Sequence, residues 1–310
     1  MPGGNDGSGR PRERFPSDES GAEETSDVRE AFALLGHEIR LDILLALISE
    51  WRAAHTEPRS YSELMGAVGM EDSGKFNYHL SKLRGAYVRK VEDGYVPTAA
   101  ATALYRTVLG TDPAGESVTA EFEVGKPCPD CCGELRGEYE GDFLSVVCTE
   151  CGSLAGHFTY PFPVNGLAGR TDREVLSAVR RRAEHHISLA RSGQCPFCAG
   201  TTTATVLAED LDGEGHDAEI TCDTCTFVVG VRLLFALSLD RRVAAALVAL
   251  DVPVTAENWE LPEPTADVLA RDPLRVALAV ETDAGSARIV VDGDLAVESV
   301  TVDGEPVGPE

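Results

Sequence analysis

The chain has 310 residues, enough for two or three compact domains, and 43% of them are hydrophobic, enough to fill real cores. It holds 52 Asp and Glu against 27 Lys and Arg, a formal net charge of −25, and only four of the cations are lysines: Lys75, Lys82, Lys90 and Lys126. That balance argues against general affinity for nucleic acid and makes any local basic cluster informative. The first 26 residues are polar, without the apolar centre of a secretory signal. The most apolar stretch, 227–250, is broken by Arg232 and by Asp240-Arg241-Arg242, so no membrane span is expected and the expected location is the cytoplasm. Nine cysteines without a secretory signal read as thiols or metal ligands before disulfides.

Residues 1–26 lack an apolar period and are expected to form a disordered tail. From there Val28, Ala31, Phe32 and Leu35 share a helical face that ends at Gly36, and a second helix over 38–49 turns Ile39, Ile43, Leu44 and Leu47 inward. Ser60-Tyr-Ser-Glu63 is a capping box that opens a short third helix closing near Gly69. Asp72 can cap a fourth, with Phe76, Leu80 and Leu83 at helical spacing. YVRKVEDGYVPT predicts two short strands about an Asp93-Gly94 turn, and an alanine-rich helix follows from about Thr98 to Leu109. Turn formers over 111–119 mark a linker.

Beyond it the chemistry changes. Paired CxxC motifs occupy 128–151 and 195–225, each with apolar strands after it, a weak internal duplication. The expected divisions are a first zinc ribbon over 120–169, a connecting helix over 170–194 opened by the capping box Thr171-Asp-Arg-Glu174, and a second zinc ribbon over 195–254. In the latter, FVVGVRLLFALSL reads as an apolar strand leading into a helix RRVAAALVAL. The last part, 255–310, is expected to be a small antiparallel β region, because its final 35 or so residues alternate apolar and polar around turns at Asp283-Ala-Gly285, Asp292-Gly293 and Asp303-Gly304. The fold class expected for the whole is α+β.

The order helix, helix, helix, helix, hairpin, helix over 27–110 resembles the winged helix-turn-helix of ArsR-like transcriptional regulators. The residues that carry the resemblance are AFALLGHEIRLDILLAL, YSELMGAV and SGKFNYHLSKLRGAYVRKVEDGY. It implies a DNA-binding domain that pairs into a homodimer. ArsR-like metal sensors often place a CxC-type pair in this domain, whereas this chain has no cysteine before Cys128. The acidic, lysine-poor, arginine-retaining composition resembles that of proteins from salt-loving archaea, whose carboxylate surfaces stay hydrated when salt screens charge. The C-terminal part resembles a domain of unassigned function appended to haloarchaeal winged-helix proteins.

On a helical wheel the fourth helix turns Lys75, Tyr78 and Lys82 away from its apolar face, with Ser81 beside them and Asn77 on the flank. Ser73, Lys75, Asn77 and Tyr78 can reach base edges in the major groove of double-stranded DNA. Lys82 and Arg84 suit phosphates, and Arg89 and Lys90 fall on the hairpin, where they can hold the backbone or enter the minor groove. His79 lies toward the buried edge and reads as a packed residue.

Zinc takes four thiolate or imidazole ligands in a tetrahedron, and a CxxC turn puts two sulfurs on one knuckle. Cys128, Cys131, Cys148 and Cys151 form one set, and Cys195, Cys198, Cys222 and Cys225 the other. With all positions filled by cysteine, two structural Zn2+ sites are expected, an iron–sulfur cluster being the other occupant that a four-cysteine site suits. Cys132 is left over: a spare thiol, a substitute for Cys131 as ligand, or a redox-active thiol. No catalytic constellation, phosphate loop or nucleophile elbow emerges, so no enzyme is expected. Together these readings describe a sequence-specific DNA-binding regulator whose zinc-stabilised C-terminal part senses or recruits, with transcription machinery as a further partner. The alternative is a zinc-ribbon adaptor of that machinery that does not read DNA.

Overall fold

The computed structural model describes residues 28–51, 56–211 and 215–308; the tail expected over 1–26 lies outside them. The chain is α+β, and its contacts divide it into two units, Met1–Asp112 and Pro113–Glu310.

In the first unit, residues 28–35 are helical (α1). Helices α2 (Glu38–Ile48), α3 (Tyr61–Ala67) and α4 (Ser73–Leu83) follow, then the hairpin β1 (Val88–Val91) and β2 (Gly94–Pro97), and α5 (Ala99–Thr111). The cap residues read from the sequence act as such. Ser60 and Glu63 close the box on α3, with Ser60 N donating to Glu63 Oε2 at 2.8 Å, and Asp72 Oδ1 accepts from Lys75 N at 2.9 Å. Ile43, Leu44, Leu47, Leu64, Phe76, Leu80, Leu83 and Val88 make the core. Helix α1 ends before Gly36, and Val28 and Phe32 on its apolar face are exposed, Phe32 by 63%. The hairpin is fastened at its turn, because Arg59 and Tyr95 exchange backbone hydrogen bonds of 3.1 and 2.8 Å. Gly94 has φ +151°, and a Cβ there would sit 2.3 Å from Arg59 O, so only glycine lets the chains approach.

The second unit begins with an antiparallel four-stranded sheet in sequential order, β3 (Ala120–Pro127), β4 (Glu134–Glu140), β5 (Phe143–Cys148) and β6 (Leu154–Pro161). The 20-residue helix α6 (Asp172–Arg191) buries Val175, Leu176, Val179 and Ala183 in one core with Leu135, Tyr139, Leu144, Val146 and Trp259 from the sheet and a later segment. A three-stranded sheet follows, β7 (Thr202–Val206), β8 (Ala218–Cys222) and β9 (Val228–Val231). The expected long apolar strand stops at Val231, and Leu233–Leu237 instead form helix α7, before α8 (Arg241–Ala249). All five α7 residues are buried, and a run buried on every side has no period to tell strand from helix. The nearly buried Asp217 decides it, its carboxylate accepting from the N–H of Leu233 at the helix start. The chain ends in a five-stranded antiparallel meander, β10 (Thr265–Arg271), β11 (Leu274–Thr282), β12 (Gly285–Asp292), β13 (Val297–Val302) and β14 (Glu305–Pro306). One face of this meander shares a core with β8, α7, α8 and the end of α6. Arg191 fastens that junction, donating to Ala236 O at 2.6 Å and to Leu295 O at 3.0 Å.

Candidate metal centres and candidate nucleic-acid interface

Each CxxC is a tight knuckle built by the same hydrogen bond. The N–H of its first cysteine donates to the carbonyl five residues on: Cys128 to Gly133 at 2.7 Å, Cys148 to Ser153 at 2.9 Å, Cys195 to Gly200 at 2.8 Å and Cys222 to Phe227 at 2.9 Å. Amides inside the knuckles then point at sulfur: Gly133 N lies 3.4 Å from Cys131 Sγ, Gly200 N 3.4 Å from Cys198 Sγ and Thr224 N 3.3 Å from Cys222 Sγ. Such donors favour thiolate over thiol.

The knuckles converge in pairs. Within Cys128, Cys131, Cys148 and Cys151, and within Cys195, Cys198, Cys222 and Cys225, all sulfurs lie within 4.8 Å of one another, so each set could hold one metal ion. Each set fits a zinc-ribbon-like unit. Cys132 stands outside its cluster, exposed, at φ +61°, on the left-handed position that Gly152 and Ala199 fill in two other knuckles. Two glycines escaped the sequence reading, although the repeated C-x-x-C-x-G signals them. A Cβ on Gly133 would meet Glu150 Cγ at 2.4 Å, and one on Gly200 would meet Thr224 Oγ1 at 2.6 Å, so each glycine lets the opposite knuckle close. Ser153 was also missed. Its hydroxyl lies 3.1 Å from Cys151 Sγ and 3.0 Å from Asp130 Oδ2, and donation to sulfur from that hydroxyl and from its own N–H brings the Cys151 thiol down to about 6, toward the form that binds metal.

The two ribbons are copies in register. Leu135 of β4 pairs with Cys148 and Thr202 of β7 pairs with Cys222, each seven residues after its first cysteine. Thr149 N donates to Glu134 O at 2.9 Å, and Asp223 N donates to Thr201 O at 3.0 Å, the same bond in both. The duplication that is faint in sequence is therefore explicit in hydrogen bonding.

In the first unit, Ser73, Lys75, Asn77, Tyr78, Ser81, Lys82, Arg84, Arg89 and Lys90 are all exposed, whereas Phe76, His79, Leu80 and Leu83 are buried on the other side of α4. Among the described residues none of the five cations there is ion-paired, while Arg59, Lys126, Arg136, Arg180, Arg232, Arg242, Arg271 and Arg275 are. Tyr78 is 56% exposed, with Lys82 Nζ 5.8 Å from its ring centroid. The Tyr61 hydroxyl donates to Ser73 O at 2.7 Å and joins α3 to the start of α4. His79 packs its ring 4.3 Å from that of His37, and burial, ahead of the nearby His37, Arg40 and Lys75, holds its pKa below the ordinary imidazole range.

The fold and these centres define an α+β protein in which two tetra-cysteine ribbon-like units follow a helical unit along the chain. The chain belongs to the family described as a domain of unknown function (DUF7351), whose model matches residues 125–297, and so takes in all eight paired cysteines. A second domain of unknown function (DUF7347) matches residues 28–108. No curated protein and no solved structure matches the chain. No described helix is long and apolar enough to cross a membrane.

Proposed function

We propose that the chain is a sequence-specific DNA-binding transcriptional regulator, ArsR-like in its first unit, with two zinc ions holding the ribbons of the second. The observation that carries the reading is the outward face of α4 with the β1–β2 hairpin: five exposed cations without ion-pair partners among the described residues, in a chain of net charge −25. The order α3, α4, hairpin is that of a winged helix-turn-helix, with α4 as the reader and the hairpin as the wing. Lys75, Asn77 and Tyr78 face base edges, and Lys82, Arg84, Arg89 and Lys90 take phosphates. The apolar exposure of α1 at Val28 and Phe32 and of α5 at Val108 suits pairing of two copies. Zinc suits eight convergent sulfurs without an open position, a role in folding rather than catalysis.

The test is binding to a selected operator across a salt series. Tyr78→Ala should relax sequence preference, costing about 1–3 kcal/mol of discrimination at one position, while Lys82→Gln should weaken all sequences alike and lower the salt slope by about one. If neither change alters binding at matched salt, α4 is not the reader. The adaptor reading has one observation of its own: Phe197, inside the knuckle Cys195-Pro196-Phe197-Cys198, is 58% exposed and offers the second ribbon an aromatic contact for a protein partner.

A further inference from the structure

The second unit carries a basic surface of its own. Helix α6 is amphipathic, and its outward side bears Arg173, Arg181, Arg182 and His185, all exposed, with Ser177 half-buried between them and Ser188 exposed beyond. Arg173, Ser177, Arg181 and His185 follow at four-residue steps and so form one stripe. From Arg173 to Ser188 it runs about 22 Å, the length of about six base pairs. Its carboxylate neighbours are engaged elsewhere. Asp172 Oδ2 accepts from Glu123 N at 2.9 Å, Glu174 Oε2 accepts from Thr171 N at 2.8 Å, and Glu184 turns to Arg180 at 2.6 Å. Arg181 Nε donates to Ser177 O at 3.2 Å, and His185 Nδ1 lies 2.6 Å from Arg181 O, contacts that steady both side chains along the helix. Among the described residues neither Arg173, Arg181 nor Arg182 has an ion pair.

We infer that this stripe is a second, sequence-independent contact for the phosphate backbone of double-stranded DNA. Charge selects a polyanion: on a protein that is otherwise strongly acidic, an arginine row whose neighbouring carboxylates turn to other donors is where an acidic partner is attracted rather than repelled. Among polyanions, guanidinium forks and hydroxyls are donors matched to phosphate oxygens, and the stripe has no exposed large apolar group of a protein hot spot except Leu189 at its far end. The choice of duplex DNA rests on the function proposed for the first unit, since a duplex is the polyanion that unit would already hold. The arginines read no bases; they add affinity and salt dependence.

The experiment uses the full chain with Arg173→Gln, Arg181→Gln and Arg182→Gln together, titrated across a salt series on a selected operator and on an unrelated duplex of roughly 30 base pairs, long enough to cover one site. The expected result is a salt slope smaller by about two to three, with about tenfold weaker binding or more at low salt on both duplexes and an unchanged ratio between them. The corresponding Arg→Lys triple variant, which keeps the charges, should restore most of the slope. Both variants should keep the wild-type metal content, which reports that α6 still packs on the first ribbon. If the triple variant loses metal, the single change Arg182→Gln reads the same effect, with a slope smaller by about one. An unchanged slope in a variant with intact metal content overturns the inference and leaves the α4 reading standing. Unaltered binding on changing Tyr78 and Lys82, beside a reduced slope on changing the arginines, sinks the α4 reading instead. A wild-type chain that binds neither duplex removes both.

Discussion

His79 is 5% exposed, its Nδ1 has no hydrogen-bond partner among the described residues, and it faces His37 and Arg40 at the start of α2 and Lys75 of its own helix. A proton on this ring would lose solvation and gain three neighbours that are, or can become, cations. Its folded pKa is lowered while the unfolded chain keeps the ordinary value near 6.5. Between those two values the unfolded state binds more protons, so the contribution to stability is complete above about 6.5 and is lost as pH falls toward the folded value. The first unit should therefore melt progressively earlier on mild acidification, and His79→Leu should flatten that dependence in thermal unfolding followed against pH. An equal slope in both proteins would show that other groups govern it. At the second ribbon the sensitive residue is Gly200. Thr224 is branched at Cβ and packs 3.0 Å from where a new methyl would stand, so it cannot swing clear as a long side chain would. Gly200→Ala should cost about 1–3 kcal/mol in the ribbon and be read as faster metal loss to a coloured chelator.

At the scale of elements, the parts legible in the sequence were those with local chemistry. Ser60, Asp72 and Thr98 mark helix starts because each side chain satisfies an amide of its own helix, and each does so here. The four CxxC pairs were legible because the metal geometry demands that spacing. The helix α7 was not, because what makes it a helix is the Asp217 carboxylate, 16 residues earlier in the chain. Strand β10 falls in the region expected to be β, but is not marked as a strand of its own, for a related reason. Thr265–Arg271 alternates as a strand should, yet its partner β11 lies across Asp272-Pro273 and not across one of the glycine turns that flagged the other hairpins. The α6 arginines carry no mark in the sequence that sets them apart from a solvated helix surface, since only the structure shows where their neighbouring carboxylates turn. The ribbons also yield an element-level expectation. β8 and β9 share a core with the five-stranded meander, whereas β3–β6 pack with α6 and Trp259. Cys222→Ser should therefore lower metal content by one ion and loosen β10–β13 in hydrogen exchange while β4 and β5 stay protected; Cys148→Ser should do the reverse. Structural zinc contributes on the order of 10 kcal/mol to such folds, enough to make the loss cooperative within one core. Exchange that rises evenly through both cores would mean that the ribbons fold as one.

Across the whole molecule, all nine cysteines fall in the second unit, and the first has a core of its own. A strong chelator should thus unfold the second unit and leave the first intact, and a chain ending near Asp112 should fold without metal. Circular dichroism of that fragment with and without chelator checks the point, and a change on chelation would contradict it. The distribution of lysine has a further consequence. Three of the four primary-amine side chains, Lys75, Lys82 and Lys90, stand exposed on α4 and the β1–β2 hairpin of one unit, and the fourth, Lys126, also exposed, is paired with Glu260 at 2.5 Å. Acylating reagents that attack lysine amines will therefore report mainly on this helix and hairpin, with Lys126 as an internal reference. Their pattern in a peptide map amounts to a built-in footprint, in which a bound duplex should silence three acylation sites together and leave Lys126 unchanged.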